Sequence, residues 1–148
     1  MMEEITELRR LCGKYELAGR EILAEYCDAE LAEMYNGAGP DAWPDDLRGL
    51  LTRAMLLFKP AVLIHDVQYT FSDGTEAGFA QTVSDWRTNC HKIFAADWPL
   101  WTMRMASKAY RRERLYWYGV MTAANFAIAT TAARDAWLAA YQRRSQNV

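Results

Sequence analysis

Apolar and polar residues almost never alternate at every second position in this chain. The apolar side chains recur instead at spacings of three and four. That period is the rise of one face of an α-helix, and a sheet cannot be built from it. The pattern predicts an all-α fold. At 148 residues the length suits one domain. The expected organisation is a single helical domain over 1–148, with N-terminal helices over 1–35, a loop plus a helix pair over 36–95, and C-terminal helices over 96–148.

Punctuation along the chain supports that division. From Glu3 to Tyr35, Leu8, Leu11, Tyr15, Ile22, Leu23, Tyr26, Leu31 and Met34 fit a helical stripe. Gly13 and Gly19 are the candidate breaks in it. Asn36-Gly37-Ala38-Gly39-Pro40-Asp41 is the strongest loop signal. Pro44-Asp45-Asp46 opens the next helix, because proline suits the first turn and acids suit the positive end of the helix dipole. Pro60 restarts the chain, and Ala61 to Tyr69 is apolar on nearly every side, which predicts a central helix. Ser72-Asp73-Gly74 reads as a turn, with Thr75 as the N-cap of a helix carrying Phe79, Val83, Trp86, Cys90 and Ile93 on one stripe. Asp97-Trp98-Pro99 starts another helix. The rest, to about Gln142, is helical, with a break expected near Gly119 or a kink.

Charge is unevenly spread. Residues 1–98 hold 9 basic and 17 acidic groups, while residues 99–148 hold 8 basic and 2 acidic. The expected use of the basic third is docking on the acidic part of the same fold. Trp98, Trp101, Arg104, Lys108, Arg111 and Arg112 also suit a phospholipid or membrane surface. The short Lys108–Arg114 patch matches no nucleic-acid module. The acidic N-terminal stretch predicts no signal peptide. Leu115 to Ala133 has 19 residues without a charge. Its threonines, asparagine, glycine and alanines predict a buried helix, with no integral membrane span. Cys12, Cys27 and Cys90 are odd in number, which points to a reducing, cytoplasmic-type compartment and to small buried thiols. The chain has two histidines, three scattered cysteines and no glycine-rich nucleotide motif. The multi-histidine phosphohydrolase class is thereby excluded, a zinc site is not provided, and nucleotide-binding readings lack support.

His65-Asp66 stands out in its apolar helix. A buried carboxylate needs compensation, so a cation or a set of donors is expected at Asp66. The Gly37-Ala38-Gly39 loop is able to turn carbonyl oxygens toward a common centre. Calcium takes six to eight oxygens from such carbonyls and carboxylates. His65 lies ten residues before Thr75 and Asp85 ten after it. In an antiparallel helical hairpin these positions lie level, and Asp85 then orients the His65 ring. Tyr69, one turn beyond His65, is placed to hold Asp85.

Asn36-Gly37-Ala38-Gly39-Pro40, His65-Asp66-x-x-Tyr69 and the following Asp85 together resemble the phospholipase A2 superfamily, most of all its short bacterial and phage-encoded members. The resemblance covers about residues 35–95, and more loosely the Tyr116-Trp117-Tyr118 helix. It implies an all-α fold with a central antiparallel helix pair and a calcium-dependent hydrolase of phospholipid-like esters. His65 would activate water, Asp85 and Tyr69 would support it, and Asp66 with carbonyls of Gly37, Gly39 and Asp41 would hold Ca2+. Ala38 and Val62 stand where the family carries a disulfide, and Asp41 stands where it prefers glycine. These departures motivate the alternative, a non-catalytic helical interaction module with a degenerate site.

Overall fold

The computed structural model describes residues 2–35, 45–100 and 106–146. Among them every regular element is helical and no strand occurs. The chain runs through α1 (Met2–Lys14), a 3-10 helix (Arg20–Glu25), α2 (Asp28–Met34), α3 (Asp45–Thr70), α4 (Glu76–Asp97), α5 (Lys108–Ala127) and α6 (Thr131–Gln146).

α3 is the element the others gather around, in line with its apolar sequence. It packs against α1, α2, α4, α5 and α6. Phe58, Ala61, Leu63, Ile64 and Val67 of α3 are buried in one hydrophobic cluster with Ile5, Leu8 and Leu31 on one side and Trp86, Ile93, Met121 and Ala133 on the other. The restart expected at Pro60 is a kink within α3. Phe58 leaves helical geometry at φ −102° and ψ 19°, because Pro60 has no N–H for the carbonyl one turn back. The Cys12 thiol donates to the Pro60 carbonyl at 3.3 Å, which ties α1 to the kink. Burial pushes that thiol up to about 12.

The helix ends follow from local chemistry. Thr75 caps α4 as expected, its Oγ1 accepting from the Gly78 N–H at 2.9 Å. Ser107 does the same for α5, accepting from the Tyr110 N–H. The break expected near Gly119 lies instead at 128–130. Gly119 is inside α5, while Thr130 ends one helix and opens the next. Its hydroxyl donates to the Ala127 carbonyl at 2.8 Å and accepts from the Ala133 N–H. One hydroxyl that serves both helix ends outweighs a glycine whose surroundings demand nothing of it.

Other expectations are corrected in the same way. Gly13 remains in α1, whereas Gly19 is a true break, at φ +76°. Cys27 is exposed, not buried. It is the N-cap of α2, where its N–H donates to the Glu30 carboxylate at 2.7 Å, and a cap position faces outward. Asp97 closes α4 and does not open a helix, and most of the helix expected after Asp97-Trp98-Pro99 falls on residues outside the described ones. No helix among the described residues is long and apolar enough to cross a membrane.

α6 lies over the link between α3 and α4. Trp137 Nε1 donates to the Thr75 carbonyl, and the Ser72 hydroxyl donates to the Trp137 carbonyl at 2.8 Å. Arg144 donates to the Ser72 carbonyl, and Arg134 pairs with Glu76. The Tyr141 ring lies so close to Gly74, at φ +69°, that a Cβ there would stand 2.7 Å from it. The basic third therefore docks on the acidic part as expected in part. Arg134 meets a carboxylate, whereas Arg144, Arg114 and Arg111 meet backbone carbonyls.

Candidate functional site

His65 and Asp66 lie in the last two turns of α3. The His65 side chain is 15% exposed and that of Asp66 12%. The two are neighbours along one helix, and His65 Nδ1 stands 3.8 Å from Asp66 Oδ1. That is an ion-pair distance but beyond hydrogen-bond reach. The imidazole is held by rings. It stacks on Tyr69 with centroids 4.4 Å apart, and it meets Trp86 of α4 edge-on at 5.2 Å. Tyr69 in turn meets Trp137 of α6 at 5.3 Å. Four rings from three helices thus run in a line through the end of α3.

The partners of Tyr69 and Asp85 differ from the expected ones. The Tyr69 hydroxyl donates to the Ala133 carbonyl at 3.1 Å, not to Asp85. Burial pushes that phenol well up, so it stays protonated and donates. Asp85, only 8% exposed, accepts from Gln68 Nε2 at 2.7 Å on one oxygen and from Gln81 Nε2 at 2.8 Å on the other. The described contacts bring His65 to Trp86, one position beyond Asp85. Successive residues of a helix point about 100° apart. With Trp86 turned to the His65 ring, Asp85 is turned to the chain segment before the 3-10 helix.

That segment explains why a carboxylate is tolerated there. Gly19 lies so close that a Cβ would stand 2.8 Å from Gln68 Nε2 and 3.1 Å from Asp85 Oδ2. One turn along α4, buried Asn89 holds the backbone of Ala18 from both sides. Its Oδ1 accepts from the Ala18 N–H at 2.7 Å, and its Nδ2 donates to the Ala18 carbonyl at 2.9 Å. Lys92 donates to the Glu16 carbonyl. Gln81, Asp85, Asn89 and Lys92 form a ridge of α4; the last three meet the 16–19 segment, and Gln81 holds Asp85. Positions 81, 85 and 89 are spaced by four in the sequence, so the ridge was visible there. Gln68, Gln81, Asn89 and Lys92 were missing from the expected set.

Tyr35 and Trp86 were also missed. The Tyr35 hydroxyl and the Trp86 indole nitrogen are buried without a hydrogen-bond partner among the described residues. Burial, together with the nearby Glu4 and Asp66 charges, pushes the Tyr35 hydroxyl up to about 12. No polarity pattern announces such groups, because their surroundings come from helices far away in the sequence.

For calcium, Asp66 is the ligand of the expected set that falls among the described residues. Gly37, Gly39 and Asp41 lie outside them. Asp66, 12% exposed and near the buried Tyr35 hydroxyl, fits a hard cation as one oxygen donor. The further oxygens would have to come from elsewhere. No protein family, curated protein or solved structure matches the chain.

Proposed function

We propose that the chain is a non-catalytic helical module whose site residues hold helices together. The plan of an antiparallel α3–α4 hairpin underlies this reading. Its support is the five-residue link between the two helices and the paired contacts His65–Trp86 and Gln68–Asp85. The observation that carries the proposal is where Asp85 directs its oxygens. A general-base histidine needs an acceptor that fixes its ring and stabilises the imidazolium. Asp85 instead receives two amide donors, one on each oxygen. Tyr69 is likewise committed to the Ala133 carbonyl.

A second reading, calcium-dependent hydrolysis of phospholipid-like esters by a His65-activated water, has its own observation in favour. His65 and Asp66 are adjacent and both retain a margin of exposure. In that reading Asp66 would hold the cation, which would polarise the ester carbonyl. His65 would take the proton from water at whichever ring nitrogen is solvent-facing.

The test is release of fatty acid from mixed phospholipid vesicles with and without calcium, for the native chain and for His65→Gln. The module reading expects no calcium-stimulated release from either. Calcium-stimulated release by the native chain that is lost in His65→Gln overturns it and establishes the hydrolase. Calcium titration by calorimetry with Asp66→Ala then checks the metal: heat in the native chain alone places the cation at Asp66.

A further inference from the structure

We infer that the outer face of α5 is a self-association surface that pairs, antiparallel, with α5 of a second copy of this chain. This inference does not depend on whether His65 is catalytic.

The helix has two apolar faces. Val120, Met121, Ala124 and Ala127 are buried against the rest of the chain. On the other side Leu115 is 71% and Phe126 74% exposed. Between these two lie exposed Gly119 and Thr122. Residues 115, 119, 122 and 126 are spaced 4-3-4, which is the seam of a helix that packs lengthwise on another helix. Tyr116 and Tyr118, also exposed, flank the seam.

Gly119 supplies a second observation. Glycine weakens the middle of a helix, and a Cβ at 119 would meet nothing within 4 Å. Nothing among the described residues therefore requires glycine there. At the centre of a seam, glycine beside threonine lets a second backbone approach closely. In a two-fold antiparallel pair Gly119 lies opposite Thr122, and Leu115 lies opposite Phe126, a large residue meeting a large one at each end. The 4-3-4 seam is thus complementary to itself, which is what an isologous contact requires.

Charge selects the second copy and its direction. Lys108, Arg111, Arg112 and Arg114 lie in the first two turns of α5 and outnumber the one acid there, Glu113, and from Leu115 to Ala127 there is no charged residue. A parallel pair would put the two cationic ends side by side. An antiparallel pair puts each cationic end at the carbonyl-bearing, negative end of the other α5. A helix lying on an anionic bilayer carries cations along the borders of its apolar stripe; here they are confined to one end. A helix of this length, about 30 Å, covers less than the roughly 800 Å2 per partner of a standard interface. The pair is therefore expected to dissociate in the micromolar range.

The test is sedimentation of the full chain over a concentration series, beside Phe126→Glu, Leu115→Glu and Gly119→Ala, with circular dichroism to show that each variant is folded. The native chain is expected to shift from monomer to dimer, and each glutamate variant to dissociate at least about tenfold more readily. Gly119→Ala is the sharper probe. It is expected to raise the thermal midpoint by about 2–4 °C at monomer concentrations while weakening the dimer. A native chain that stays monomeric throughout overturns the proposal. So does a dimer that Phe126→Glu leaves intact, and so does a monomer whose α5 face instead binds anionic vesicles in a Phe126-dependent way.

Discussion

α4 and α5 are of similar length, 22 and 20 residues, and they use their faces in opposite ways. α4 buries Thr82, Asp85 and Asn89. α5 leaves Leu115, Tyr116, Tyr118 and Phe126 exposed. Each departs from the rule that polar groups face water and apolar groups do not. The two departures differ in kind. Asp85 and Asn89 of α4 have partners within the chain, so they define how the 16–19 segment, α3 and α4 fit together. Of the exposed apolar groups of α5, Tyr118 meets the Phe94 ring of α4 and Tyr116 meets its neighbour Trp117, while Leu115 and Phe126 stand 71% and 74% exposed. A polar group that is buried and satisfied is a feature of the fold. A contiguous apolar face left outside is a feature of what the molecule meets.

The contrast is sharpest at Asn89. Asn89→Leu keeps the size of the side chain and leaves the Ala18 N–H and carbonyl buried without partners. The expected cost is about 2–4 kcal/mol of unfolding free energy, read by urea denaturation. A loss under about 1 kcal/mol would mean that water replaces the amide, and that the grip of α4 is less specific than described. By comparison Phe126→Glu, on the exposed face of α5, is expected to stay within about 0.5 kcal/mol when the chain is monomeric.

Gly19→Ala comes next. The left-handed backbone at 19 and the 2.8 Å approach of Gln68 Nε2 both act against a methyl group there. The expected cost is about 1–3 kcal/mol. Gly119→Ala should move stability the other way. If both substitutions changed stability in the same direction, the distinction between the gripped segment and the outer face would fail.

Tyr35 gives the smallest effect and separates buried groups with partners from those without. Its hydroxyl has no partner among the described residues, so Tyr35→Phe should be neutral or stabilise the chain by up to about 1 kcal/mol at neutral pH. The phenol ionises near its ordinary 10.0 when unfolded and about 12 when folded. The folded chain therefore holds a proton that the unfolded chain releases. The stability this gives is complete below pH 10 and is lost as the pH rises from there toward 12. Tyr35→Phe should flatten that part of the pH–stability curve, and an unchanged alkaline slope would show that Tyr35 contributes nothing to it.

Much of the fold was legible because helix signals are local. The spacing of Val83, Trp86, Cys90 and Ile93 gave the buried face of α4. Thr75 gave its cap, and the apolar run 61–69 gave the central position of α3. The break at Thr130 was not legible. Its hydroxyl bonds carbonyl and amide groups that come into position only once both helices exist. The site was legible as a list and not as an arrangement. His65, Tyr69 and Asp85 were singled out by type and spacing, and all three are packed at the end of α3 or against it. Level positions across a hairpin do not fix which way a side chain turns, however. One position along α4 separated the residue that meets His65 from the residue that meets the glutamines.

The sequence by itself determined that the chain is helical, where most helices lie, and which side of α4 is apolar, because these depend on neighbours three or four residues away. Tertiary structure decided the partners. Asn89 found Ala18 and Asp85 found Gln68, while Tyr69 found Ala133. The 16–19 segment and the helices carrying these residues are far apart along the chain, and a hydrogen bond requires positions in space that no local period specifies.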